Sequence, residues 1–315
     1  VEFPVQVKIN SKSAVMQAIV LAAGFGTRLR PYTAIRPKPL FPVVNRLLLH
    51  RLLSQLAACD CWPVVVNCHH LPEQIEEALA DWPEVRIQVE PAILGTGGAL
   101  RKALDTMEND PILVVNGDLY HEIDPEWVYH RHLLSRNDVT LALHEYPRFH
   151  SVRVGGDRVL GFAEHTRENC LAFTGIHVVD PEVIERIAPN RFHHIIDLYQ
   201  ELAGEERIGY CRTDGAIWCD IGTPADYLQL HSQLLDAAGE WLVDPAARIG
   251  ADVRLDGWGC IGAGADIGCG VVLHNCVVWP GARVPQGKRA HGAIITGNAA
   301  VDRAIWTSEE GPGES

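Results

Sequence analysis

No apolar run of about eighteen residues occurs in the 315-residue chain, so no segment has the length and texture of a membrane-spanning helix. The opening VEFPVQVKINSKSAV also lacks the long apolar stretch of a secretory leader. The expectation is a soluble, cytoplasmic protein with no membrane partner, in which residues 1–14, an oddly polar lead before Met16, form an extension outside the fold. Cations are scarce: 27 Lys and Arg stand against 40 Asp and Glu, a net charge of −13. Nucleic acids and anionic surfaces attract basic faces, so neither is expected as a partner. The nine cysteines are odd in number and include no CxxC, which fits neither zinc-ribbon spacing nor a secreted disulfide framework, and they are read as reduced thiols. Fifteen histidines include the adjacent pairs His69-His70 and His193-His194. Neighbours point apart on a strand and lie about 100° apart on a helix, so no zinc site is read there.

A hydrophobic content of 47% is ample for a packed core at this length. Through the first two thirds, apolar runs bounded by turn signals alternate with helical periodicity, the pattern of a doubly wound α/β sheet. AVMQAIVLAA, PVVVNC, VRIQVE and PILVVNGD read as strands, with NRLLLHRLLSQLAAC, PEQIEEALADW and GGALRKALDTM as the crossover helices. Such strands pair in parallel and align their following loops along one ligand-binding edge. After Asp124 the strands shorten (VTLALHEY, SVRVGG, RVLGFAE, LAFTGIHVV), followed by helices PEVIERIA and HHIIDLYQELA and by a further strand-to-helix turn, IWCDIGTPADYLQLHSQLL. These extend a mixed, mainly parallel sheet over residues 15–238.

The period then changes to six. Val243, Ile249, Leu255, Ile261, Ile267 and Leu273 are apolar, and Ala247, Val253, Gly259, Ala265, Val271 and Val277 are small or β-branched. Six-residue spacing of this kind marks a hexapeptide-repeat, left-handed β-helix, here assigned to residues 243–300 with two or so coils, and its apolar coils imply a homo-oligomer. Residues 301–315 are read as a disordered tail.

Against the acidic background one loop stands out: VLAAGFGTRLRPYTAIRPKPL, Val20 to Leu40, with Gly24 and Gly26 followed by Arg28, Arg30, Arg36 and Lys38. Backbone N–H groups in a glycine turn converge on phosphate oxygens, and a guanidinium grips them bidentately. The loop is neither a dinucleotide fingerprint, since Leu29 stands where the third glycine would be, nor a Walker loop, since no GK[ST] follows. Pro37 and Pro39 frame Lys38 and limit the entropy lost in holding its ammonium, whereas Arg30 and Arg36 read as solvated surface charge. Asp118 and Asp220 each end a strand near glycine, a pair that suits a magnesium ion taking its other ligands from phosphate and water, although either alone would pass for a turn or cap aspartate. ILGTGGAL, Ile93–Leu100, is a second glycine-rich turn whose backbone can lie against a flat base.

LAAGFGTRLRPYT, RPKPLFPV, GTGGAL, VVNGD, TGIHVVDPEV and WCDIGTPADYL, in this order from about Met16 to Leu235, resemble the sugar-1-phosphate nucleotidyltransferases, several of which also carry a hexapeptide tail. The resemblance implies a Rossmann-like nucleotidyltransferase fold and transfer of a nucleotidyl group from an NTP to a sugar 1-phosphate. It implies nucleotide binding by Leu21, Ala22, Ala23, Gly24, Gly26, Thr27, Glu90, Gly95, Thr96, Gly97 and Gly98. It places Arg28, Lys38 and Asp118 in catalysis, Mg²⁺ on Asp118 and Asp220, and the sugar near Asn116, Glu164, Thr174 and Gly175. Two departures stand out. Relatives carry a lysine in an EKP run where this chain has Glu164-His165-Thr166, leaving His165 as a pH-sensitive substitute. Leu47 replaces a proline before the first helix, a change expected to alter how that helix starts. Base and sugar stay open between mannose-1-phosphate guanylyltransferase-like and glucose-1-phosphate thymidylyl- or uridylyltransferase-like chemistry. A catalytically silent nucleotide-sugar-binding subunit and a phosphocholine-type cytidylyltransferase are the alternatives on the same fold.

Overall fold

Four apolar strands, Gln17–Leu21, Val64–Cys68, Val85–Val89 and Ile112–Asn116, pair in parallel because the helices Leu48–Ala58, Pro72–Ala78 and Gly95–Ala103 return the chain between them. The computed structural model describes residues 16–163, 169–235 and 241–307. Beyond Ile112–Asn116 the nine-stranded sheet continues with Cys170–Val179, Val139–His144, Ile208–Arg212, Arg158–Phe162 and His150–Gly155. Cys170–Val179 runs antiparallel to both its neighbours, and Arg158–Phe162 is antiparallel to both of its own. The sheet is thus mixed, but the expectation of a mainly parallel one holds only for its first half. One cause is local: Gly156 and Asp157 alone join His150–Gly155 to Arg158–Phe162, and a two-residue link forces a hairpin, whereas Ile208–Arg212 still pairs with Val139–His144 in parallel.

Apolar side chains cover both faces. Leu53, Ile75, Val115 and Tyr129 belong to one core, and Ile19, Val114, Leu202 and Tyr199 to the other. Alternate residues of one strand serve opposite faces, as period two requires. The sequence helix expected from Asn45 starts only at Leu48, because Pro42–Val43 and Arg46–Leu47 first close a small ladder.

After residue 240 the chain forms parallel ladders of a different kind. Trp241–Val243, Arg254–Ile261, Val272–Val278 and Arg289–His291 form one sheet, and Arg248–Ile249, Asp266–Ile267 and Arg283–Val284 another. Ile249 pairs with Ile267 and Ile267 with Val284, while Leu255 pairs with Leu273 and Leu273 with Ala290. The apolar stacking runs past Leu273, where the strict six-residue spacing ends. A register shift between Asp256 and Gly259 absorbs one residue, so the next rung falls one position early, at Val278. Ala299–Thr307 then form a helix, started by Asn298 Oδ1 accepting from the Ala300 N–H (3.0 Å) and anchored by buried Asp302, which accepts from the N–H groups of Thr296 and Gly297. The expectation of disorder from residue 301 is corrected for 301–307, and the remainder of that tail and residues 1–14 lie outside the described residues.

The two parts share a core. Leu29, Phe41, Leu48 and Tyr227 pack with Trp258, Val277 and Trp279. Asn45 Nδ2 donates to the Ile261 carbonyl at 2.9 Å, and Trp279 Nε1 donates to the Tyr227 hydroxyl at 3.2 Å.

Candidate active site

The loop after Gln17–Leu21 leaves the sheet at the edge where parallel strands present their ligand-binding ends. It turns at Gly26, whose φ of 58° is left-handed and whose missing Cβ would stand 2.8 Å from Thr33 Cγ2. The Thr33 hydroxyl donates to the Gly26 carbonyl (3.0 Å), closing the turn. Short helical turns then set Arg28 and Lys38 on one side of the loop.

Lys38 is the centre of the site. Its side chain is only 4% exposed, and Nζ donates to Asp118 Oδ2 and to Asp220 Oδ1, each at 2.9 Å. The two aspartates converge because Leu119–His121 and Trp218–Asp220 pair antiparallel, with Asp220 opposite Leu119. Burial disfavours the ammonium charge, but the fields and hydrogen bonds of Asp118 and Asp220 outweigh it and raise the lysine pKa above its ordinary value. Arg28 Nη2 reaches Asp220 Oδ2 at 3.2 Å while 61% of its side chain is exposed. Gly222 makes that approach feasible: a Cβ there would lie 2.7 Å from Arg28 Nη1 and 2.8 Å from Asp220 Oδ2.

Two cavities meet at this cluster. A cleft of about 310 Å³ is lined by Leu21, Ala22, Ala23, Gly24 and Gly26 together with Lys38, Glu90, Gly95 and Thr96. A larger cavity of about 910 Å³ is lined by Arg28, Asp220, Gly175 and an aromatic wall of Phe149, Phe162, Phe173 and Trp218. Asn116 and Asp118 border both.

Several expected residues stand elsewhere. Thr27 is exposed and lines neither cavity. Gly97 and Gly98 are buried, and their N–H groups point to the His193 carbonyl (2.8 and 3.4 Å), so they join two segments of chain instead of facing the cleft. Thr174 is fully buried: its hydroxyl donates to the Ala142 carbonyl (2.8 Å), and its own carbonyl accepts from Trp218 Nε1 (2.8 Å). It supports the aromatic wall from behind. Glu164 and His165 lie outside the described residues. Arg30 is exposed, but Arg36 is not free surface charge, since its guanidinium lies 5.0 Å above the Trp279 ring.

Asn67 was not singled out by any motif. Its Oδ1 accepts from the Ala22 N–H (2.7 Å) and its Nδ2 donates to Glu90 Oε1 (2.8 Å), while Glu90 Oε2 accepts from the Leu94 N–H (3.0 Å). One buried chain of bonds thereby spaces the two glycine-rich turns that flank the cleft. Phe192 and His194, also without a motif, line the same cleft. Of the two histidine pairs, His69 and His70 are engaged with backbone: His69 contacts the Glu90 carbonyl (2.7 Å) and His70 that of Thr33 (2.6 Å).

The carboxylate pair fits a divalent cation by its donor chemistry: hard anionic oxygens of Asp118, in the turn between Ile112–Asn116 and Leu119–His121, and of Asp220, at the end of Trp218–Asp220, converge on one point, and the 42% exposed Asp118 lines both cavities. Among the described residues no cluster of three or more His, Cys, Asp or Glu forms a complete protein-only cage, and no helix is long and apolar enough to cross a membrane.

Residues 17–237 match the family described as Nucleotidyl transferase. A mannose-1-phosphate guanylyltransferase of Mycobacterium tuberculosis is 30% identical over 305 residues, covering 86% of this chain and 82% of that protein. An N-acetylmuramate alpha-1-phosphate uridylyltransferase of Caulobacter vibrioides is 30% identical over 243 residues, covering 70% and 97%. HddC from Yersinia pseudotuberculosis, a solved structure, has the same fold at a TM-score of 0.60 and 23% identity, covering 70% of this chain and 99% of its own. With that match over most of its length, and with Arg28, Lys38, Asp118 and Asp220 gathered at the sheet edge, this chain belongs to the nucleotidyl transferase family.

Proposed function

We propose that the protein joins an NTP to a sugar 1-phosphate, giving an NDP-sugar and pyrophosphate. The observation that carries this is the position of Lys38, Asp118 and Asp220 where a narrow cleft walled by backbone meets a wider, aromatic-walled cavity. A nucleotide fits the first, bound by residues 21–26, Glu90, Gly95 and Thr96. The apolar face of a sugar ring fits against the aromatic wall of the second, beside Asn116 and Gly175. An oxygen of the sugar phosphate bonds to the α-phosphorus as the bond from that phosphorus to the bridging oxygen breaks, and pyrophosphate leaves with the electron pair.

No protein nucleophile is required, because a phosphate oxygen is already ionised at neutral pH. Lys38 holds positive charge beside the reacting phosphates, and Arg28, held at one end by Asp220, grips the triphosphate. Asp118 and Asp220 would hold Mg²⁺, which when bound neutralises phosphate charge and aligns the two substrates. The relatives support a guanylyl- or uridylyl-transfer reading, with a manno- or gluco-configured sugar phosphate as acceptor. We further assign residues 15–238 to catalysis and residues 243–300 to a left-handed β-helix. Offsets of 18 residues, as between Arg248 and Asp266, support three hexapeptides per coil. The apolar coils suit a homo-oligomer in the cytoplasm. Screening four NTPs against mannose, glucose and N-acetylmuramate 1-phosphates for pyrophosphate release tests the reading; release with no pair would reject it.

A further inference from the structure

We propose that Arg148 is the guanidinium that binds the phosphate of the acceptor, an inference that rests on the sugar-phosphate reading of the larger cavity. Among the described residues lining that cavity, Arg28 and Arg148 are the two that carry permanent positive charge. Arg28 follows the glycine turn in the chain and is tied to Asp220, and the proposed reaction already gives it to the triphosphate. The reaction brings two phosphate-bearing ligands to one centre, and Arg148 adds to Lys38 and Arg28 a cation that lines the acceptor cavity.

Arg148 sits on the short turn Pro147–Phe149, yet it is held like a residue of a rigid element. Nη1 donates to Asp226 Oδ1 at 2.6 Å and Nη2 to Oδ2 at 3.2 Å, a two-pronged contact. Asp226 is buried in the first turn of Pro224–Leu235, and its Oδ2 also accepts from the Thr223 hydroxyl at 2.8 Å. The guanidinium lies 5.1 Å over the Phe149 ring. About half of the side chain, 49%, remains exposed, the residue lines the cavity, and a guanidinium has five N–H donors, more than the two that Asp226 engages. A fork fixed on one edge and open on the other loses little rotamer entropy when phosphate binds.

The test is steady-state kinetics of wild type, Arg148→Ala and Arg148→Lys, using GTP or UTP with whichever of mannose, glucose or N-acetylmuramate 1-phosphate the wild type turns over. Loss of one charge-assisted phosphate contact is expected to raise the KM for the sugar 1-phosphate by about tenfold to hundredfold. The KM for the NTP is expected to stay within about twofold, with partial recovery in Arg148→Lys. The paired variant Arg148→Met with Asp226→Asn leaves no unpaired buried carboxylate and is expected to show the same selective KM rise in a folded protein. An unchanged KM for the sugar phosphate, with or without a lower melting temperature, would overturn the proposal and leave Arg148 as a tie between turn and helix. A rise confined to the NTP would overturn it as well. No wild-type turnover with any acceptor would instead reject the reading of the cavity on which the proposal stands.

Discussion

Lys38 and Asp118 are 80 positions apart in the chain, and their charged atoms lie 2.9 Å apart. The contact closes the loop after Gln17–Leu21 onto the strand edge, and Asp220 completes it from the other half of the fold. Substituting Lys38 by Ala or Met is expected to lower kcat by about 10² to 10³, the usual cost of removing one group that stabilises charge at the reacting atoms. Single-turnover pyrophosphate release measures it. Equal turnover by Lys38→Met would remove the lysine from the chemistry.

Gly222 lies against the contact between Arg28 and Asp220, and a methyl group there would stand 2.7 Å from Arg28 Nη1 and 2.8 Å from Asp220 Oδ2. Gly222→Ala is therefore expected to displace the guanidinium by about 1 Å and lower kcat/KM for the NTP by roughly 10², with melting temperature little changed. Kinetics with the NTP varied at saturating acceptor reads the effect.

Trp279 belongs to the carboxy-terminal ladders but packs on the segment that carries Lys38, 4.8 Å from the Phe41 ring and under the Arg36 guanidinium. Its removal opens a cavity in the shared core. Trp279→Ala is expected to cost about 3–5 kcal/mol in a urea titration followed by circular dichroism. A change below about 1 kcal/mol would mean that the two parts are joined only loosely.

His231 lies at the same junction. The Val44 N–H donates to its Nε2 at 3.1 Å, so Nε2 is an acceptor and the ring proton sits on Nδ1, facing the Tyr227 carbonyl at 2.9 Å. Burial pushes its pKa down to about 4. The unfolded chain takes up this proton near pH ~6.5 while the folded chain refuses it until about 4. The stability present above pH ~6.5 is therefore lost as pH falls through that window, at about 1.4 kcal/mol per pH unit for this group. Urea midpoints at pH 7 and pH 5 are expected to fall in wild type and to fall less in His231→Gln. Equal falls would place the sensitivity elsewhere, for instance at buried His177, whose pKa burial lowers to about 3.

The parts of the site legible in the sequence were those whose chemistry is local. Gly26, Lys38, the strand-ending Asp220 and Asp118, which lies two residues past the strand's end at Asn116, stand beside their own structural signals, and alternation of strands and helices located the edge where they gather. Asn67 was not legible, because its role depends on the spacing of two loops that only the folded sheet brings near. Arg148 was hidden for the same reason, since its partner Asp226 is 78 positions away. Thr174 shows the converse: it sits beside Gly175 in a motif, but strand alternation turns its hydroxyl inward to Ala142. The apolar six-residue period was readable to Leu273 and no further, because a one-residue register shift breaks the count without breaking the stack.

The most direct measurement follows a radiolabel at the α-phosphorus of the NTP in the presence of Mg²⁺ and a sugar 1-phosphate. The expected result is label in an NDP-sugar, dependent on the acceptor, and lost in Asp118→Asn. Label that stays in the NTP, or appears only in the free monophosphate with every acceptor tried, would contradict nucleotidyl transfer by this site.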